Sequence, residues 1–344
     1  MKVYVNGVPR NAIIRIVISM KDTKIMIIGT GGTIAGTGNG SSALTEYRAG
    51  SIGVDDLIQA VPALNEYGPF ESVQFSNIDS SEMSPYRWVR LALLVNEVAE
   101  RDDIGGIVIT HGTDTMEETA YFLQLTVHTK KPVVMTGSMR PATALSADGP
   151  VNLLQAVQVA RSESAIHQGV LVVMNGYIDS AREVAKLHTT DVATFGNAQL
   201  GHMGCIQNGK AYFYYTPCRK HTSDSEFILR EEVELPQVGI VNLYGGMDTE
   251  ILTMVASRSQ GLIVGGFGHG TLPQAVRDTL KKITIPKVRS SRIGNGIVSS
   301  NSSDVKEGFI VSDSLSPVKA RILLMLALQQ ERSREDLENL FALY

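Results

Sequence analysis

Six apolar, β-branched runs recur along the chain, and each ends at a glycine or a polar cluster. They are KIMIIGT (24–30), GGIVITHGTD (105–114), PVVMTGS (132–138), GVLVVMNG (169–176), VGIVNLYGG (238–246) and GLIVGGFGHG (261–270). Near-continuous apolar runs of this length suit strands buried on both faces. Between them, apolar residues return at three-and-four spacing in SPYRWVRLALLVNEVAER (84–101), TMEETAYFLQLTV (115–127) and PVNLLQAVQVARS (150–162). Strands alternating with helices predict an α/β fold built on parallel sheets.

A polar, charged stretch, YTPCRKHTSDSEFILREEVELP (215–236), interrupts this rhythm. With 344 residues, a length that suits roughly two domains, the chain divides there. The expected organisation is an N-terminal extension (1–22), a larger N-terminal catalytic domain (23–214) with a mostly parallel sheet flanked by helices, a linker (215–236), and a smaller parallel-sheet C-terminal domain (237–344). The final segment, 316–344, reads as a helix, a turn and a short last helix, with Ser316 and Pro317 as N-cap and first helical residue. The first residues resemble a signal peptide, but Arg15 interrupts the apolar stretch and no small-residue cleavage site follows. They are read as an extension or a misassigned start, with Met20 as the alternative start; cytoplasm is the default compartment and periplasm the alternative. A net charge of -4 gives nothing to attract nucleic acid or an anionic membrane. Two cysteines, Cys205 and Cys218, exclude a disulfide framework, and the seven histidines lack metal-site spacing, so no metal is expected.

In open parallel sheets, active sites lie beyond the carboxyl ends of the strands. The polar residues there are Thr30 and Thr33, then Thr110, His111, Thr113 and Asp114, then Thr136 and Ser138. The glycine-rich turn at 29–40 is no dinucleotide fingerprint, because Ile34 stands where the third glycine belongs, and no P-loop, because Thr37 and not lysine follows Gly36. Thr113 and Asp114 have a plain alternative as caps of the helix starting near Met116. No G-x-S-x-G elbow is present. A threonine nucleophile needs activation by a lysine, tyrosine or carboxylate. Lys186, in AREVAKLHTTDVATF (181–195), is the candidate lysine; a solvated surface lysine is its plain alternative.

GTGGTIAG (29–36) and THGTDTMEETAYF (110–122) resemble the two signature blocks of the bacterial L-asparaginase family, and the likeness runs over residues 24–344. It implies an amidohydrolase that converts L-asparagine to L-aspartate and ammonia through a threonine-bound β-aspartyl acyl-enzyme, without cofactor. The alternatives are a broader glutaminase–asparaginase and a non-catalytic amino-acid-binding protein on the same fold. By the resemblance Thr33 is the nucleophile, Thr113 and Asp114 are the second block's catalytic pair, and Lys186 is their partner. Tyr47 belongs to a mobile loop, loosened by Gly36, Gly38 and Gly40, that covers the site. Ser80, flanked by Asp79 and Ser81, holds the substrate α-carboxylate, and Ser138 sits near the side-chain amide. The resemblance further implies a homotetramer, a dimer of dimers, whose sites are completed by a neighbouring C-terminal domain. Where secreted members supply an asparagine and a glutamate from that neighbour, this chain has residues near Gly246 and Asn301. Near the positions of a periplasmic disulfide it has Asp102 and Thr129.

Overall fold

The computed structural model describes residues 4–5, 8–9, 23–38, 40 and 47–344, with backbone only for 4–5, 8–9 and 47. The expected extension at 1–22 therefore lies outside the described residues, except for the short strands Tyr4–Val5 and Val8–Pro9.

The larger sheet is built from β1 (Lys24–Gly31), β2 (Phe70–Ile78), β3 (Ile104–Thr110), β4 (Val133–Thr136), β5 (Val170–Met174), β6 (Tyr177–Ser180), β7 (Gly204–Gln207) and β8 (Lys210–Phe213). Its order is β8-β7-β6-β5-β4-β3-β1-β2. Strands β2, β1, β3, β4 and β5 run parallel. The last three strands fold back antiparallel, so the sheet is mixed. The helices of this half are α1 (Val54–Gln59), α2 (Pro85–Glu100), α3 (Met116–Thr126) and α4 (Gly149–Ala160). They cover both faces. Met26 and Ile28 join the core under α2 and α3, while Ile25 and Ile27 join the core under α4. Because successive strand residues face opposite sides, a strand covered on both must be apolar throughout. Ser84 starts α2 by accepting the Arg87 N–H at 3.4 Å, with Pro85 as the first helical residue.

Residues 215–237 carry only the 3₁₀ turn Thr222–Asp224. Beyond them β9 (Val238–Asn242), β10 (Gly261–Gly266), β11 (Lys287–Ser291) and β12 (Phe309–Val311) form a wholly parallel sheet in that order. Its helices are α5 (Glu250–Ala256), α6 (Gln274–Leu280), α7 (Ser302–Glu307), α8 (Pro317–Ala327) and α9 (Arg334–Leu343). Helix α8 is buried from Ile322 through Ala327 without a break. A helix that is apolar all round must be enclosed, and α8 is: one continuous core joins it to Ile263, Val288 and Ile310 of the second sheet and to the residues of α2 and α3. The two halves thus share a core, and α8 meets α3 directly.

Candidate active site

Three neighbouring strands deliver the first site residues. Gly29 of β1 pairs with Thr110 of β3, and Gly31 pairs with Ile78 of β2. The loops after β1, β2 and β3 therefore leave the sheet together. Their closeness rests on glycine. A Cβ on Gly32 would stand 2.4 Å from the Gly112 backbone, and one on Gly112 would stand 2.6 Å from Ser80 Oγ. Gly32 also adopts φ 78°, a left-handed conformation that costs glycine nothing. Thr33 and Thr113, each one residue further on, emerge from this contact, and both are buried. The glycines of the first block thus serve an approach between two loops of the protein itself.

The hydroxyls at the strand ends divide into two groups. Thr30 donates to the Thr110 carbonyl at 2.9 Å and Thr136 to the Val173 carbonyl at 2.8 Å, so both tie strands together. Thr113 Oγ1 instead accepts from Lys186 Nζ at 3.0 Å. The same ammonium meets Asp114 Oδ1 at 2.6 Å. Lys186 arrives from the antiparallel side, in a two-residue strand Ala185–Lys186 paired with Phe195–Gly196. Ser80 Oγ accepts the Asp114 N–H at 3.2 Å, and the Ser80 carbonyl accepts from Thr115 Oγ1 at 2.7 Å. With that bond made, the Ser80 hydroxyl proton is still available to a ligand carboxylate. Thr115, not Asp114, occupies the N-cap of α3, and no side chain caps that helix. The capping alternative for Thr113 and Asp114 thus falls. Lys186 is no solvated surface lysine: its side chain is 18% exposed against 60% for Asp114. His111, beside them, is fully buried; burial drives its pKa down to about 4 and keeps it neutral.

The family model "Asparaginase, N-terminal" matches residues 24–219, and "Glutaminase/Asparaginase C-terminal domain" matches 237–341. The chain is similar to "L-asparaginase 2" of Escherichia coli (strain K12), 45% identical over 93% of either chain. Against "L-asparaginase 2" of Bacillus subtilis (strain 168) it is 42% identical over 93% of this chain and 86% of that one. A solved structure, a probable cytoplasmic L-asparaginase from Campylobacter jejuni, superposes with a TM-score of 0.90 at 41% identity, covering 94% of this chain and 100% of that chain. The chain belongs to the asparaginase family.

In this asparaginase-family chain hydrogen bonds link Ser80 to Asp114 and Lys186 to both Asp114 and Thr113. Asp79 caps the turn Ser80–Glu82, accepting from Ser81 N at 2.9 Å and Ser81 Oγ at 2.6 Å, so those two side chains engage each other. Ser138 is fully buried and donates to the Arg140 carbonyl at 2.7 Å. Tyr47 lies in a two-residue strand paired with Thr37–Gly38; its side chain, with residue 39 and residues 41–46, lies outside the described residues. Asn301 caps α7, accepting from Ser303 N at 2.9 Å and Asp304 N at 3.2 Å, so its side chain is committed to its own chain.

Two further charged residues, Glu117 and Lys319, stand beside Lys186 with no motif to mark them. Glu117, one residue into α3, faces the backbone N–H of Lys186, and burial raises its pKa. Lys319, in the first turn of α8, is buried at 3% exposure and donates to the carbonyls of Arg182 and Val184. A signal for Lys319 existed: a cation at a helix N-terminus opposes the helix dipole, so a lysine there ahead of an apolar run calls for an outside partner.

Proposed function

We propose that this protein hydrolyses L-asparagine to L-aspartate and ammonia. The observation that carries the reading is the position of Lys186 Nζ, 3.0 Å from Thr113 Oγ1 and 2.6 Å from Asp114 Oδ1, in a chain of the asparaginase family. A pure binder has no use for an ammonium that primes a threonine hydroxyl.

Thr33 Oγ1 bonds to the side-chain amide carbon, and the carbon–nitrogen bond breaks. The departing nitrogen takes one proton through Thr113 Oγ1 from Lys186 Nζ, and the proton released by Thr33 restores the relay. Backbone N–H groups of the first block stabilise the oxyanion. Water then attacks the β-aspartyl ester and frees Thr33. Ser80 holds the α-carboxylate and Asp114 the α-ammonium, with Asp79 and Ser81 shaping that end of the pocket and Ser138 the amide end. Tyr47 closes over the site and excludes bulk water, leaving the one that attacks the ester.

The chain divides, on this reading, into a catalytic unit at 23–214 and a second unit at 237–344, and it works as a homotetramer; light scattering on active enzyme tests the assembly. We place it in the cytoplasm. The related solved structure is described as a probable cytoplasmic L-asparaginase, which supports this, and fractionation of the native cells tests it. Among the described residues no helix is long and apolar enough to cross a membrane.

A second reading, a broader glutaminase–asparaginase, is favoured by the C-terminal family description, which names both activities. One methylene in a pocket is worth only about 1–3 kcal/mol, so both amides must be measured. The test is ammonia release by the purified chain, with kcat/KM for L-asparagine and L-glutamine. Higher kcat/KM on asparagine is the expected result. Comparable values establish the second reading, and no ammonia from either amide overturns both.

A further inference from the structure

We propose that Lys319, carried by α8 of the C-terminal half, is a positioning residue for Lys186: it grips the backbone just before Lys186 while Glu117 faces that lysine's own N–H. The Lys319 ammonium donates to the Arg182 carbonyl at 2.8 Å and to the Val184 carbonyl at 2.5 Å. Lys186 follows two residues after the second of these carbonyls. The third side of Lys319 is the Tyr121 ring of α3, with Nζ 6.0 Å from its centroid.

Burying an ammonium is costly unless it is hydrogen-bonded and met by opposite charge. Both conditions hold. The charged groups facing Lys319 are Glu117 on α3, Glu183 and Arg182 in the segment it grips, and Asp179 on β6. Three are carboxylates. Burial lowers the Lys319 pKa to about 8 and raises that of Glu117, while each group's charge supports the ionised form of the other. Arg182 strengthens the same junction. It donates to Ser314 Oγ at 2.8 Å and to the carbonyl of Tyr344, both in the C-terminal half.

The segment 182–184 is thereby docked onto the C-terminal half, and the strand Ala185–Lys186 extends from it towards Thr113. The second half of the chain shapes its own subunit's catalytic lysine, whatever a neighbouring subunit adds. A side chain that misplaces a reacting group by about 1 Å can cost 10²-fold in rate without touching substrate.

The kinetic arm of the test rests on the asparaginase reading; the exchange arm does not. Three proteins are compared: wild type, Lys319→Met, and the double variant Lys319→Met/Glu117→Gln. Lys319→Met removes the stronger of the two lysine charges that face buried Glu117, the other being Lys186, so it lowers Tm. The double variant removes both charges and regains most of that Tm. Both variants are expected to lose roughly 10- to 100-fold in kcat on L-asparagine, with KM changed less than about 3-fold. In both, amide exchange over 182–187 and 195–196 is expected to quicken about 10-fold or more, with the interior of α4 unchanged. A double variant with wild-type kcat and wild-type exchange at 182–187 overturns the proposal, because Lys319 then only balances a charge. If wild type releases no ammonia, the asparaginase reading fails, and the exchange comparison alone still decides the positioning role.

Discussion

Two ion pairs of equal length mark the two halves of the molecule. Lys186 meets Asp114 at 2.6 Å, and Arg289 meets Asp304 at 2.6 Å. Their surroundings are opposite. The first has side chains 18% and 60% exposed; the second has 2% and 0%. Arg289 uses both arms on Asp304, at 2.8 and 2.6 Å, and spends its other donors on the carbonyls of His269 and Ser299. Asp304 also closes the capping box of α7 with Asn301. No donor in that clamp points anywhere useful to a ligand. Lys186, by contrast, shares its ammonium between Asp114 and a threonine hydroxyl. A half-open pair contributes about 0–1 kcal/mol to stability, so little of the fold's stability rests on this geometry. A sealed pair is costly to break because one partner is left charged and buried.

The largest expected effect breaks the first pair. Lys186→Met should lower kcat by roughly 10²–10⁴-fold, the usual worth of a positioned acid–base group, while urea unfolding shifts by no more than about 1 kcal/mol. Asp304→Ala should do the reverse. It leaves Arg289 buried and unpaired, costing about 3–5 kcal/mol in the same unfolding experiment, with kcat per folded molecule close to wild type. Equal losses of stability in the two variants would erase the distinction between the pairs.

A smaller effect separates the open pair from its buried neighbour. His111 has a folded pKa near 4, held down by burial, against an unfolded value of 6.5. Below pH 6.5 the unfolded chain takes up a proton that the folded chain refuses. The contribution of His111 is thus complete above that pH and is lost as pH falls towards 4, by up to about 3 kcal/mol. The midpoint of urea unfolding should decline over this window, and His111→Gln should flatten the decline. An unchanged slope would assign the acid sensitivity elsewhere.

Legibility in the sequence followed apolar burial. β1, β3, β4, β5 and β10 are buried almost throughout and announce themselves as apolar runs; β9 reads as such a run although it lies at the edge of its sheet and is only partly buried, and β11, KVRSS, is buried throughout but polar, so no run marks it. β2, FESVQFSNI, lies at the edge and is only partly buried, so no run marks it. Strands β6 to β8 are short and turn the sheet antiparallel, a pattern that the βαβ rhythm does not contain. Thr30 and Thr33 look alike in sequence. Only the pairing of β1 with β3 makes Thr30 a strand tie. Ser80 belongs to the site because β2 adjoins β1, a fact of topology that motif resemblance supplied and spacing did not. Lys319 lies 133 residues beyond Lys186 in sequence, and its partners are backbone carbonyls, which leave no trace in side-chain pattern.

In the proposed reaction Thr33 forms the covalent ester while Thr113 and Lys186 move the proton. The most direct measurement is rapid acid quench of the enzyme turning over L-asparagine, followed by peptide mass spectrometry. A β-aspartyl adduct is expected on the peptide carrying Thr33, and none in Thr33→Ala. An adduct on the peptide carrying Thr113, or turnover by Thr33→Ala above about a hundredth of wild type, would contradict it.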